Sequence, residues 1–481
     1  MSILSRLYKA VACPGRGRTT RIAALSMVIT VMAAMSLMAM FGVQMGLAQT
    51  GAVPDPSFGH DGQVLTKFVG KHNSILAIVI GPDGSIYAAG SGTKSGHEYG
   101  LIAKYTSAGS LDTAFGDGGE ITDNNLVTAQ AIALQSDGGI LVAGASAGAA
   151  SGGPALALER YTAAGSLDGS FGSGGIVLDT IGPAADFIDS IVVQSNGQIL
   201  IGGNTVVVVA TKHKKQAING DFALARYNSN GSVDSSFGTN GKVTTDFNGF
   251  FDQIRQILVQ PDGRIIAAGQ AGVPASSLPS AVAPAGSVAV MGFARYNFNG
   301  SLDTSFGQQG LVTVAVNGVG TSLASVALDP NGQVVASGAT SETLALTRLS
   351  SNGSPDASFG FDGQQSFVPL LTKMACVGTT VCNAVFSGAT AISFQPDGTI
   401  LVAGGIGSSI LQVFAVSYNQ DGTLNTSYGT GGFLTSKFTN RGEINAAAFQ
   451  PDGKVVLAGG IREADQFKAQ FGVGRYTIPG S

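Results

Sequence analysis

The chain has 481 residues, a formal net charge of −4, only 12% charged side chains and 70 glycines. That balance supplies no cationic footprint for nucleic acid, and so much glycine without a Gly-X-Y period excludes collagen. It points to many tight turns between short strands, with Ser, Thr, Asn and Gln carrying the surface polarity.

Residues 1–48 read as a targeting segment. Arg6, Lys9, Arg16, Arg18 and Arg21 give a basic start, and no charged residue follows from Ile22 to Pro54. Gly46-Leu47-Ala48 supplies small residues where a signal peptidase would cut. An uncharged run of about 20 residues can also span a bilayer, so a retained anchor is the alternative. Either way the bulk of the chain is expected outside the cytoplasm: secreted, periplasmic or at the cell surface. Cys13 would leave with the signal peptide. Cys376 and Cys382 then form an even pair, expected to be a disulfide, since two thiols are too few for a structural zinc site.

After a short linker at 49–54, one unit recurs from residue 55 to 481. An aromatic-glycine anchor appears seven times, at Phe58, Phe115, Phe171, Phe237, Phe306, Phe359 and Tyr428. It alternates with seven tight turns centred on Asp83, Asp137, Asn196, Asp262, Asn331, Asp397 and Asp452. The mean spacing is about 62 residues, a period that signals stacked or radial repeats. Unit four shows the content of each. Gly241–Phe247 alternates as a half-exposed edge strand, and Ile254–Val259 and Ile265–Gly269 are apolar runs flanking an Asp-Gly turn. Phe293–Tyr296 is the fourth strand.

Middle strands that are apolar throughout must be covered on both faces. The expected fold is all-β: a seven-bladed propeller of four-stranded antiparallel blades, with an open solenoid as the alternative. Arg226-Tyr227-Asn228, Gly231–Gly238 and Gln260–Ile265, with their counterparts elsewhere, resemble the delta-60 repeat family of bacterial propeller-like repeats. The resemblance implies a propeller and no particular reaction.

A cation stands eight residues before an acid in five units: Lys104 and Asp112, Arg160 and Asp168, Arg226 and Asp234, Arg295 and Asp303, Arg348 and Asp356. Unit six replaces both, with Ser417 and Asn425. Joint loss is what a bonded pair predicts, because removing one partner strands a charge. Arg475 lacks its acid in unit seven and Asp55 lacks its cation in unit one. Pairing them would close the ring, with Gly62–Phe68 as outer strand beside Phe471–Tyr476.

Three insertions interrupt the repeat: Val206–Gly220 with Lys212-His213-Lys214-Lys215, Ala271–Ser287, and roughly Val368–Asn383 with both cysteines. His60, His72, His97 and His213 have no metal-binding spacing, and no nucleophile elbow or phosphate loop occurs. The two positions after each anchor glycine carry acids in some units only, as Asp61, Asp117 and Asp362, so they select turn formers rather than calcium ligands. No catalytic residue, metal or cofactor is expected. The leading function is a monomeric binding scaffold for a protein or glycan, touching a membrane only through an uncleaved N-terminus. The alternatives are a carbohydrate- or ester-active enzyme and a structural envelope component. A cluster of carboxylates, histidines or arginines from several blades at one channel end would mark the enzyme, and none is legible.

Overall fold

Glycine-stopped apolar runs joined by Asp-Gly and Asn-Gly turns fold into antiparallel sheets, and seven such sheets arise in the computed structural model. The structure describes residues 52–478 apart from 69, 147–154, 183–185, 211–215, 279–286, 341–342, 362, 368–384, 408–411, 438–440 and 463–468. The first six blades occupy 71–123, 126–179, 186–245, 253–314, 322–367 and 385–437. Each runs through four strands, a to d, from the ring centre outward. Blade 3, for example, consists of Asp186–Val193, Ile199–Ala210, Gln216–Tyr227 and Lys242–Thr245.

Blade 7 takes Arg441–Phe449, Val455–Arg462 and Ala469–Thr477 from the end of the chain and Gln63–Thr66 from its start. Gln63 pairs with Gly474 and Thr66 with Phe471, so the first and last repeats share one sheet. The fold is therefore a closed seven-bladed propeller with almost no helix. Val53–Pro54, assigned from the sequence to a linker, pairs with Thr477 and Tyr476.

The blades are out of step with the sequence units by one strand. Lys242–Thr245, inside the segment that opens unit four, hydrogen-bonds to Phe222–Ala225 and completes blade 3. A strand one blade earlier serves each ring position, which lets the N-terminal strand fill the last one. The middle strands are buried on both faces: every residue of Ile140–Ser146 and Leu156–Tyr161 is buried. Apolar clusters fill the spaces between neighbouring blades, as in the cluster of Leu200, Phe222, Phe237, Ile257 and Ala294.

Strand direction gives the ring two unlike ends. The a–b turns and c–d loops, with the aromatic anchors, lie at one end; the b–c hairpins and d–a connections lie at the other. All three insertions belong to the second end. Val206–Gly220 lengthens the blade 3 hairpin, whose ladder runs out to Ala210 and Gln216. Ala271–Ser287 does the same in blade 4, pairing as far as Pro274 and Ser287. Residues 368–384 join strand d of blade 5 to strand a of blade 6.

Candidate functional site: the clamps and the channel

The sequence-derived ion pairs sit together at the anchor end. Lys104 Nζ lies 2.7 Å from Asp112 Oδ2 and Arg160 Nη2 2.9 Å from Asp168 Oδ2. Arg226 Nε is 2.7 Å from Asp234, and Arg295 and Arg348 are each 2.8 Å from Asp303 and Asp356. Arg475 Nε is 2.8 Å from Asp55 Oδ2, across the chain termini. In unit six Asn425 Nδ2 donates to Ser417 Oγ at 3.3 Å, a neutral version of the same contact.

Each arginine does more than pair. Arg226 is wholly buried, stacks 4.6 Å over the Phe237 ring, and donates to the Phe298 carbonyl of the next blade. Arg295 likewise covers Phe306 and reaches Ser351 O at 2.5 Å, and Arg348 covers Phe359 and reaches Gln420 O at 2.9 Å. Arg475 covers Phe58 and reaches Ser107 O. Cation, acid and aromatic anchor thus form one clamp that grips the next blade. Burial opposes the charge on Asp55, but the Ser57 hydroxyl and amide and the Arg475 guanidinium outweigh it and hold its carboxyl down to about 2.

The slot with scattered acids has a backbone explanation. Asp61, Asn240 and Gln309 adopt φ of 52°, 53° and 53° there, a left-handed conformation that Asp, Asn and Gly tolerate best. His60 and His97 are exposed, whereas His213, Lys212–Lys215, Cys376 and Cys382 lie outside the described residues.

The centre of the ring holds what sequence reading missed. A cavity of about 580 Å³ is lined by strands a, including Gln130, Asp189, Arg255, Gln256 and Asn445. These strands carry bulges between Ala129 and Ala131, Ile188 and Ser190, Ile254 and Gln256, and Ile444 and Ala446. A bulge releases one residue from the ladder and re-aims its side chain. The released residues are Gln130, Asp189, Arg255 and Asn445, with Leu76 and Ala324 in blades 1 and 5. All stand seven positions before the turn residue of their unit. Aligning the units on the turn would have exposed this column, because the residue before it stays apolar while it varies freely in polarity.

Asp189 is held by Gln253 Nε2 at 2.6 Å, and Arg255 Nη1 is 3.8 Å from its other oxygen. Burial raises the Asp189 pKa, with Arg255 and Gln253 opposing. Other inner-strand side chains stitch blades together: Ser190 Oγ accepts from Ile257 N at 3.0 Å, and Gln256 Oε1 from Val326 N at 3.0 Å. No multi-blade polar cluster was legible in the sequence, yet one is present here. The inner strands bring a carboxylate, a guanidinium and amides from blades 2, 3, 4 and 7 to one cavity.

Carboxylates elsewhere act on the frame. Asp252 accepts Phe247 N and Gly272 N at 2.9 Å each, capping the connection into blade 4 as Asp186 caps that into blade 3. Burial lifts Asp252 to about 7. More unusual is Glu159, fully buried where the other units hold Ala103, Ala225, Ala294, Thr347, Val416 and Gly474. Tyr161 Oη bonds both its Oε2, at 2.6 Å, and Asp123 Oδ2. Burial first, then Asp123, pushes the Glu159 carboxyl far above its ordinary 4.5, so the folded state keeps its proton.

Unfolding at neutral pH releases that proton, so this group's contribution is complete below pH 4.5 and is lost as pH rises toward its folded pKa. Glu159→Gln removes the titration while keeping the shape. It is expected to leave stability unchanged near pH 4 and to raise it at pH 8 by on the order of 2 kcal/mol. Urea melts of both forms at the two pH values check this; a gain that is the same at both would contradict it.

Four stretches, 81–115, 135–171, 194–237 and 330–359, match a family model described as a domain of unknown function (DUF5122) beta-propeller. Each runs from a turn to the next aromatic anchor, in register with the repeat and in agreement with the propeller fold. Among solved structures it is similar to a catalytically inactive virginiamycin B lyase from Staphylococcus aureus with quinupristin. The identity is 11%, over 86% of this chain and 99% of that one, with a TM-score of 0.45. Drosophila Semaphorin 2a aligns at 8% identity over 86% and 75%, with a TM-score of 0.42. A protein from Lactobacillus plantarum aligns at 14% identity over 82% and 96%, with a TM-score of 0.40. No curated protein sequence matches the chain.

Proposed function

We propose that this chain is an exported propeller of the delta-60 type that works as a binding scaffold, its ligand-facing end being that of the b–c hairpins. The contrast between the two ends carries this reading. The anchor end repeats one clamp from blade to blade, whereas the opposite end bears all three long insertions and their blade-specific sequences. Repetition serves the frame; long, dissimilar loops on a rigid frame serve recognition. The basic start and uncharged run of residues 1–48 support export. An enzyme acting on glycosides takes two working carboxylates, and Asp189 is the one acid among the described residues lining the cavity.

Replacing 275–286 with an Asn-Gly turn, which joins the paired Pro274 and Ser287, is expected to abolish capture of partners from envelope extract, with the melting temperature retained. Undiminished capture by the shortened protein would refute the assignment of this end.

A further inference from the structure

The polar groups of the channel are not all used by the frame. Arg255 has Asp189 as its ionic partner among the described residues, at a distance too long for a direct hydrogen bond, and its side chain is 48% exposed. Its donors therefore face the cavity. Gln130 Oε1 is buried without a hydrogen-bond partner, and a buried acceptor left unmade is costly. Close to Asp189 in the chain, and outside the residues that line the cavity, is an aromatic. Phe187, two residues before Asp189 on the same strand and nearer the insertion-bearing end, is 38% exposed. The other described blades hold Ser74, Thr128, Gln253, Ser322 and Glu443 at that position.

An adjacent carboxylate and guanidinium complement two neighbouring hydroxyls, one donating and one accepting. Their opposite charges offset one another, which gives a charged ligand little to gain. An exposed aromatic face is negative and attracts the polarised C–H face of a sugar ring. The cavity, about 580 Å³, falls in the range of small-molecule sites. We propose that the channel is a saccharide-binding site for a neutral sugar or glycan end, with Asp189, Arg255 and Gln130 reading hydroxyls and Phe187 stacking beneath the ring. This rests on the binding-scaffold reading and gives it a ligand class.

The test is calorimetric titration of the exported protein with cellobiose and with the disaccharide of N-acetylglucosamine, using acetate and inorganic phosphate as anion probes. A neutral disaccharide should bind, with Arg255→Ala and Asp189→Asn each weakening it about ten-fold and Phe187→Ala about three-fold. Arg255→Ala removes a half-exposed side chain, so an unchanged melting temperature is expected and keeps the comparison valid. Binding of neither disaccharide, binding indifferent to Arg255→Ala, or binding of acetate or phosphate alone would overturn the inference. Partner capture that persists in Arg255→Ala while sugars fail to bind would sink the channel site alone; the scaffold reading falls only if the shortened hairpin leaves capture intact.

Discussion

A chain lacking residues 52–66 is expected to lose the closed ring and with it the cooperative unfolding transition. The missing segment supplies Gln63–Thr66, the outer strand of blade 7, and the ladder partner of Val53–Pro54 is left bare as well. It also supplies Phe58, buried against blade 1, and Asp55, the partner of a nearly inaccessible Arg475. Stranding a buried guanidinium costs about 3–5 kcal/mol, and losing a packed phenylalanine costs about 3–5 more. Together they approach the whole stability of an ordinary domain, about 5–15 kcal/mol. The exposed edge of Ala469–Thr477 would then template association. Size-exclusion chromatography and urea melts of the truncated chain check this. A monomer with the parental midpoint would mean that the termini close nothing. Asp55→Ala alone should reproduce the single-clamp cost and give a folded, less stable monomer.

Phe237→Ala is expected to destabilise by about 3–5 kcal/mol, the usual cost of emptying a phenylalanine site. Phe237 is fully buried between blades 3 and 4 and lies beneath Arg226. Its other face meets Gly300, at φ +85°, where an added Cβ would come within 2.9 Å of the ring. No neighbour can collapse into the space without moving the clamp, so relaxation should recover little. His60→Ala serves as the control: His60 is exposed, its one ionic contact is the equally exposed Asp61, and its loss should leave the midpoint unchanged. Equal midpoints for the two variants would refute the anchoring role of the aromatic.

The repeat count, the four-stranded units and the closure by residues 62–68 could be read from the chain because each rests on covalently periodic signals. Turn glycines, anchors and the eight-residue offset between Arg226 and Asp234 recur in register. The phase of the blades was less legible. Lys242–Thr245 follows its own anchor in sequence but pairs backward, and alternation alone does not say which neighbour a strand chooses. The joining of each arginine to the next blade was hidden for a similar reason, since a carbonyl such as Phe298 O leaves no residue signature. The channel cluster escaped because it depends on bulges. Asp189 and Arg255 sit in runs that read as ordinary buried strands, and only the slip in pairing at Ile188/Ser190 and Ile254/Gln256 turns them toward the axis. Glu159 was visible as a lone acid in an apolar strand, but its partner Asp123 belongs to the preceding blade.

The contact between Asp55 and Arg475 spans 420 positions of the chain. A ribosome adding about 5–20 residues per second takes roughly 20–80 s to cover that interval. Through all of it Gln63–Thr66 exists without the strand it belongs to, while the six blades between are being completed. Those blades, once formed, carry the growing end back to its starting point, so the final docking is a local event between preplaced edges rather than a search by a loose coil. The first strand of the ring is thus the last to be seated, and the delay is set by the delivery of the C-terminal strand.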